Sequence, residues 1–232
     1  SDSRGSLEVY WVRDNDGTVN QVKVADPDEK YLDTPNEFGI RQSEWYLCAR
    51  DRKVPCLMEP YMYEIRPGYS ELMTSLTVPV LVNGRFRGIT GVDVNLPLFQ
   101  TLTEQLSQSL YNGQAKVTLL SQIGLIVASS HYQEKRMRPL PEMLPELGHT
   151  LKELHTGEGL LITGTSLYVS RALKVPAADA EWSLLIELPL DVALADLHAL
   201  QALVDEKKSS VLTSQLLLAV FLAGLSLMSI TV

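Results

Sequence analysis

The run ELMTSLTVPVLVNGRFRGITGVDVNL, residues 71–96, decides the fold because it reads as two long β-strands joined by a tight turn. Apolar and β-branched residues recur through both halves, which is typical of strands. Asn83 and Gly84 lie between the halves, and Asn-Gly is a strong signal for a two-residue hairpin turn. The run therefore predicts an antiparallel hairpin.

Other strand-like runs precede this hairpin. LEVYWV (7–12) and TVNQVKV (18–24) flank an Asp-Gly turn and predict a first hairpin. CLMEPYMYEI (56–65) predicts a further strand. Together these segments predict one antiparallel sheet of about five strands, with a loop-rich insertion, within residues 1–100.

A second set of strands follows in the same order. Residues 116–130 repeat the sequence of strand, glycine turn and strand, and residues 157–175 and 181–190 supply three closing strands. A second sheet of about five strands is therefore predicted within residues 101–190. The expected fold class is α+β, with two modules of similar build, each flanked by helices.

Several helical segments are predicted from apolar spacing and length. Leu98, Leu102 and Leu106 have helical spacing and predict a helix between the modules, and short helical pieces are expected before the closing strands. A long exit helix is predicted over residues 191–210. Residues 211–232 carry no charge and predict a whole or partial transmembrane helix, with a buried core helix as the alternative.

The composition limits the class of partner. A net charge of −8 and a pI near 5.0 argue against nucleic acid, because phosphate binding requires clustered Lys and Arg. The four histidines are scattered without the spacing of metal ligands, so no metal or other cofactor is expected. Because the chain starts at Ser1 without Met or a signal peptide, we expect it to be a fragment of a longer protein.

The two cysteines, Cys48 and Cys56, lie eight residues apart beside an aromatic cluster. In an oxidising compartment they could close a short loop as a disulfide. Free thiols are an equal alternative, and the sequence leaves both open.

Aromatic and acidic residues gather around the predicted first sheet. Strand alternation places Glu59, Tyr61 and Tyr63 on one face, because side chains two residues apart point the same way. Trp45 and Tyr46 precede the sheet in a turn or helical loop, from which their rings could fold over that face and meet a cation. Core packing of the same rings is the alternative.

Asp93 lies among apolar neighbours in the second strand of the hairpin. A carboxylate in such a position is costly unless a cation or hydrogen-bond donors meet it. A ligand ammonium would satisfy it, and so would a structural ion pair with Arg41, Arg85 or Arg87.

The runs WY, EPYMY and TSLTVPVLVNGRFRGITGVDVNL resemble the membrane-distal module of the double Cache domains that bacterial chemoreceptors display in the periplasm. The resemblance extends from residue 5 to about residue 200, because the second copy and the exit helix are similar to the membrane-proximal module. It implies a sensor anchored in the inner membrane, a homodimer in the full receptor, and a methyl-accepting intracellular part that acts on a kinase. A histidine kinase or diguanylate cyclase could carry the same sensor.

The resemblance also implies where a ligand binds. In amino-acid-sensing members, an Arg two residues before the Trp-Tyr pair holds the ligand carboxylate, while rings and the Asp of the G-V-D run hold its ammonium. Here Ser43 occupies the Arg position, and Arg41 lies further upstream. Tyr61 matches the family tyrosine that follows the proline, but Tyr63 replaces the family aspartate. An amino acid would therefore lose its anion clamp.

We hypothesise an amine ligand, such as a polyamine or a biogenic amine like histamine. Asp93 would neutralise its ammonium, four rings would surround its carbon skeleton, and an acidic residue would take a second cationic end. The rings are Trp45, Tyr46, Tyr61 and Tyr63, and the second acid is Glu44 or Glu59.

Three other functions are alternatives to an amine sensor. The same sensor fold could bind an amino acid. An ectoenzyme could use Glu59 and Asp93 as an acid/base pair, but the sequence holds no nucleophile elbow, phosphate-binding glycine loop or metal cluster, so no enzyme activity is expected. A structural exodomain would use the rings only as core.

Overall fold

The computed structural model describes residues 1–14, 16–145, 147, 158–195, 198 and 201–210. Over these residues the chain forms antiparallel sheets with few helices, which confirms the predicted α+β class. The described strands divide into a two-stranded, a four-stranded and a five-stranded sheet.

The first hairpin consists of β1 (Tyr10–Arg13) and β2 (Val19–Val22). Its turn closes through a hydrogen bond from the Asp14 N–H to the Thr18 carbonyl at 2.8 Å, and Gly17 adopts the positive φ that such turns favour. The hairpin forms a sheet of its own, so the prediction that it joins one five-stranded sheet is wrong. It contacts the four-stranded sheet through side chains instead. The Tyr10 hydroxyl, for example, donates a hydrogen bond to Asp93 of that sheet.

The four-stranded sheet is centred on β5 (Tyr69–Val82). It pairs along one edge with β6 (Arg85–Asn95) and along the other with β3 (Cys56–Leu57) and β4 (Tyr61–Arg66) in succession. The predicted Asn-Gly turn joins β5 to β6, with both residues at positive φ.

The run 56–65 was predicted as one strand, and the structure divides it into β3 and β4. Pro60 lies in the break and has no N–H to give to the ladder, which explains why pairing stops there. As a consequence, Glu59 lies outside both strands, and the alternation that placed it with Tyr61 and Tyr63 does not apply to it.

Helix α1 (Glu44–Arg52) covers one face of this sheet and confirms the helical loop predicted for Trp45 and Tyr46. It follows Ser43, which is fully buried and donates a hydrogen bond to the Glu29 carbonyl at 2.5 Å. Cys48 of α1 is bonded to Cys56 of β3, so the disulfide is the alternative that the structure shows. The bond joins the helix covalently to the sheet.

The five-stranded sheet has the order β8-β7-β11-β10-β9, which confirms the strand number predicted for the second set. Its strands are β7 (Lys116–Leu120), β8 (Ile126–Ser129), β9 (Gly159–Ile162), β10 (Ser166–Val175) and β11 (Ala180–Pro189). Two short helices accompany it, α3 (Leu140–Met143) before β9 and α4 (Leu190–Ala193) after β11.

The predicted connecting helix is α2 (Leu96–Ser109). It buries Leu96 completely, in a core that also contains Leu57, Phe99 and Trp182, so this core joins the two larger sheets. Full burial of a leucine contributes about 2 kcal/mol. Leu98 and Leu102 remain about half exposed and lie outside this core.

The end of the chain lies largely outside the described residues. Residues 201–210 are helical and exposed, but several positions between 195 and 201 are not described, and the predicted transmembrane segment at 211–232 is outside as well. Within the described part, no helix is both long and apolar enough to cross a membrane. The boundaries at residues 100, 190 and 210 stay predictions.

Candidate functional site

One face of the four-stranded sheet collects the predicted site residues. Asp93 of β6 lies directly opposite Ser75 of β5, and Tyr61 and Tyr63 alternate onto the same side from β4. Trp45 reaches this face from α1, which lies over it. The sheet therefore supplies the acid and two tyrosines, and the helix supplies a ring from above.

Asp93 accepts hydrogen bonds from two hydroxyl groups. The Tyr10 hydroxyl donates to Oδ2 at 2.8 Å, and the Ser75 hydroxyl donates to Oδ1 at 2.5 Å. The Tyr61 hydroxyl lies 2.6 Å from Ser75 Oγ. Because Ser75 gives its only proton to the carboxylate, Tyr61 must donate to Ser75. Three hydroxyl groups thus orient one carboxylate.

Five rings form a network of edge contacts beside this carboxylate, and we call them the aromatic cage: Tyr10, Trp45, Tyr46, Tyr61 and Tyr63. Tyr63 lies at its centre, with its ring centroid 6.0 Å from that of Tyr10 and 6.3 Å from those of Trp45 and Tyr61. Tyr46 contacts Trp45 at 6.0 Å. All four contacts are edge-to-face, an arrangement that stabilises ring pairs and can present negative ring faces to a cation.

The hydroxyl groups of Tyr10, Tyr61 and Tyr63 remain protonated at physiological pH. Burial, followed by the charge of Asp93, raises the pKa of Tyr10 and of Tyr61 well above the usual range. Burial also raises the pKa of Tyr63, with the charges of Glu8, Glu29 and Asp93 acting in the same direction. The hydroxyl groups are therefore available as donors to Asp93.

No Lys, Arg or His of the described chain forms an ion pair with Asp93. Arg41, one of the expected partners, instead binds Glu44 at 2.6 Å and Asp51 at 2.7 Å. The alternative of a structural ion pair at Asp93 is thus not what the structure shows. The carboxylate is held by neutral donors and keeps its charge uncompensated by a protein cation.

The structure does not bring the remaining two predicted acids to Asp93. Glu44 receives two hydrogen bonds from the guanidinium of Arg41. Glu59 accepts a hydrogen bond from the Ile123 N–H at 3.2 Å, in the turn between β7 and β8. Burial raises the pKa of Glu59. Glu59 therefore connects the four-stranded sheet to the five-stranded one.

The sequence analysis missed Tyr10 and Ser75. A regular two-residue hairpin that pairs Val82 with Arg85 would place Asp93 opposite Thr74. A bulge near Val80 shifts the register by one residue and brings Asp93 opposite Ser75. Gly88 in the middle of a strand indicates that a bulge is present, but the sequence does not show which residue is the extra one.

Comparison with known proteins identifies relatives of the chain, although no family model matches it. The methyl-accepting chemotaxis protein TlpQ of Pseudomonas aeruginosa is 27% identical over 212 residues, which cover 90% of this chain and 29% of that protein. The chain therefore spans about three tenths of the length of this curated relative.

Two solved structures share the fold. The extracellular domain of a protein described as a histidine kinase, mmHK1S-Z3, superposes with a TM-score of 0.59 and 21% identity, covering 83% of this chain and 65% of that one. A methyl-accepting chemotaxis protein X gives a TM-score of 0.56 and 23% identity, covering 82% and 65%. The chain thus has the fold of sensor domains found on both kinds of protein.

Proposed function

We propose that the chain is the extracytoplasmic ligand-binding part of a chemoreceptor and that it binds a small amine in the aromatic cage. Asp93 takes the ammonium, and the rings of Trp45, Tyr46, Tyr61 and Tyr63 surround the carbon skeleton. The observation that carries the proposal is the Asp93 carboxylate, which is oriented by Tyr10 and Ser75 and forms no ion pair with any Lys, Arg or His of the described residues.

The energetics of the cage favour a cation over a neutral guest. An ammonium lowers the free-energy cost of a half-buried carboxylate, because it replaces part of the lost hydration. Each ring face adds an attraction of about 0.5–2 kcal/mol. One such charge contact with several ring contacts is consistent with micromolar affinity, about −8 kcal/mol. A polyamine or a biogenic amine such as histamine fits these requirements.

A free amino acid fits the cage less well. Its carboxylate would need an anion clamp, and the nearest candidate, Arg41, is already bound to Glu44 and Asp51. Releasing Arg41 would leave Glu44 unpaired beside the ligand carboxylate, whereas Asp51 would keep its ion pair with Arg50. The same contacts argue against Glu44 as the site of a second ammonium.

The proposed signal is a shift between two conformations of the sensor. An amine shifts their populations only if it binds one conformation more tightly, and closure of α1 over the sheet would provide that difference. The shift would reach the membrane through the five-stranded sheet and the predicted exit helix. In the full receptor we propose a homodimer in the inner membrane, with this part in the periplasm and chemotaxis as the output.

An alternative output has support from the fold. The likeness to the extracellular domain of a protein described as a histidine kinase shows that this architecture also occurs on that kind of protein. A kinase or a diguanylate cyclase would receive the same amine signal. An acid/base enzyme is disfavoured, because Glu59 and Asp93 have separate partners, Ile123 in one case and Tyr10 with Ser75 in the other.

The test is calorimetry of the purified chain with pairs of compounds that differ by one carboxylate. Suitable pairs are histamine with histidine, 1,4-diaminobutane with ornithine, and agmatine with arginine. We expect an amine to bind in the micromolar range and its amino-acid partner to bind at least ten times more weakly. Tight binding of an amino acid, with no binding of any amine, would contradict the proposal.

A further inference from the structure

Thr77 is a buried residue whose hydroxyl group has no partner. It lies on β5 two residues beyond Ser75, so alternation places it on the face that carries Asp93. The residue is 3% exposed, and within the described chain its Oγ1 forms no hydrogen bond. A buried hydroxyl without a partner costs about 1–3 kcal/mol, so its presence on this face requires an explanation.

The cross-strand neighbours account for the lack of a hydrogen-bond partner for Thr77 among the described residues. Gly91 lies opposite on β6 and has no side chain. Cys56 lies opposite on β3, and its sulfur is bonded to Cys48. Neither neighbour supplies a side-chain acceptor or donor. The hydroxyl can therefore exchange a hydrogen bond with a group of a bound molecule.

We infer that Thr77 is a second recognition point of the cage, and that the ligand is an amine with an uncharged hydrogen-bonding group at its other end. This inference rests on the proposed amine-binding function and narrows its ligand class. Ser75 lies opposite Asp93, and Thr77 lies two residues further along the strand, a rise of about 6–7 Å. The ammonium and the second polar group should be separated by about this distance.

The second group should be uncharged because of what surrounds Thr77. Cys56, directly opposite Thr77, belongs to an apolar cluster with Cys48, Ala49 and Met58, and a single neutral hydroxyl beside such a cluster could not compensate an ammonium ion. An alcohol or a neutral ring nitrogen could exchange a hydrogen bond with Oγ1 at no such cost. The inference therefore favours a monocation with a polar tail over a linear diamine.

Three probes with chains of equal length test the inference: 4-aminobutan-1-ol, n-pentylamine and 1,4-diaminobutane. All have the same ammonium and differ only in an end group that is an alcohol, a methyl or a second ammonium. Calorimetry on the parent chain should rank the amino alcohol first, about ten-fold tighter than either of the others.

The decisive variant is Thr77→Val, which keeps the shape and removes the hydroxyl. It should lower the affinity for 4-aminobutan-1-ol about ten-fold and leave that for n-pentylamine unchanged. Without ligand, its melting temperature should rise by about 2–4 °C, because an unsatisfied polar group has been removed. Thr77→Ser, which retains the hydroxyl, should keep the preference for the alcohol.

The matched control is Thr74→Val on the opposite face of the same strand. The Thr74 hydroxyl donates to the Met58 carbonyl at 2.6 Å, so this variant should be less stable than the parent and bind the amino alcohol equally well.

The outcomes separate this inference from the proposed function. Should no amine bind the parent chain, both fail. Should an amine bind while Thr77→Val keeps the full preference for the alcohol, or melts below the parent, only the role of Thr77 is wrong. Tighter binding of 1,4-diaminobutane than of the amino alcohol would overturn the requirement for an uncharged end.

Discussion

Each of the two larger sheets carries a carboxylate with a polar residue directly opposite it on the neighbouring strand, Asp93 on β6 and Glu187 on β11. Glu187 lies directly opposite Lys116, whose ammonium is 2.8 Å away, and the Tyr132 hydroxyl donates to it at 3.3 Å. Asp93 lies directly opposite Ser75 and receives only hydroxyl groups. The difference is thus one cross-strand residue, a lysine in one sheet and a serine in the other.

This difference separates a structural acid from a binding acid. Where the protein supplies the cation, the carboxylate is neutralised before any ligand arrives, and Glu187 is only 8% exposed. Where the protein supplies hydroxyl groups, the carboxylate is oriented without an ion pair in the described chain, and Tyr10, Tyr61 and Tyr63 lie near it in place of a lysine. The comparison predicts that cations bind at the four-stranded sheet and not at the five-stranded one.

The largest effect is expected for Asp93→Asn. The variant keeps the shape and can still accept hydrogen bonds from Tyr10 or Ser75, but it loses the charge that attracts the ammonium. We expect the affinity for the best-bound amine to fall about 100-fold, about 3 kcal/mol, in calorimetry. The fold should be retained, as judged by circular dichroism.

Asp179→Asn is the matched control for this charge loss. Asp179 is exposed at the turn between β10 and β11 and has a positive φ, which asparagine adopts readily. The control should bind the amine as the parent does. Equal loss in both variants would mean that net charge, and not the cage, determines binding.

The next effect concerns the disulfide that joins α1 to the four-stranded sheet. Replacing Cys48 and Cys56 together by alanine should lower the free energy of unfolding by about 2–3 kcal/mol, the loop-closure value for a short loop. Amine affinity should fall several-fold as well, since Trp45 and Tyr46 depend on the position of α1. Urea unfolding and calorimetry measure the two effects.

Reductant provides the control for the disulfide, because the chain has only two cysteines. It should bring the parent to the stability of the double variant and leave the variant unchanged. If reductant destabilised both proteins equally, the effect would not come from this bond.

The sequence predicted those parts of the fold that depend on neighbouring residues, and it missed those that depend on distant ones. Turn residues and apolar spacing act locally, so the Asn83–Gly84 hairpin, α2 and the five strands of the second sheet were all predicted. The isolated position of the β1–β2 hairpin and the break at Pro60 depend on which segments pair, and a single sequence carries little of that information.

The site residues also divide into those that local patterns predict and those that depend on distant contacts. Trp45, Tyr46, Tyr61, Tyr63 and Asp93 were predicted as one cluster, and the structure brings them together, although their role towards a ligand stays a proposal. Tyr10 lies 83 residues from Asp93, and Ser75 faces it only because of the bulge in the hairpin. Contacts of that kind depend on tertiary register, which no local pattern specifies.

A third prediction concerns Lys116, whose removal would leave Glu187 without a cation, as Asp93 is in the four-stranded sheet. Lys116→Met removes the cation beside Glu187 and leaves a buried charge unpaired. We expect the free energy of unfolding to fall by about 2 kcal/mol, below the value for fully buried pairs because the Lys116 side chain is 29% exposed. Urea unfolding of the purified chain provides the measurement.

The double variant with Lys116→Met and Glu187→Gln tests the cause. Because the unpaired charge is now gone, most of the lost stability should return. A double variant as unstable as the single one would show that Lys116 acts through packing of its methylene groups, and the contrast with Asp93 would lose its electrostatic basis.

The smallest effect is expected at Glu59, which belongs to neither class of acid. One of its oxygens accepts the Ile123 N–H, while the other is buried near Ser121 and Gln122 without a hydrogen bond of normal length and angle in the described chain. Burial raises the pKa of Glu59, so the folded protein holds its proton more tightly than the unfolded chain does. Glu59 therefore stabilises the fold at low pH, and this contribution disappears as the pH rises through the folded pKa.

Glu59→Gln removes that titration. The variant should gain stability over the parent by up to about 1 kcal/mol at pH 7, and the gain should shrink as the pH approaches 4. Urea unfolding at both pH values measures the difference. A gain that is the same at pH 7 and pH 4 would show that the Glu59 charge is satisfied in the folded state. The contact between the two sheets would then be an ordinary hydrogen bond, with no dependence on pH.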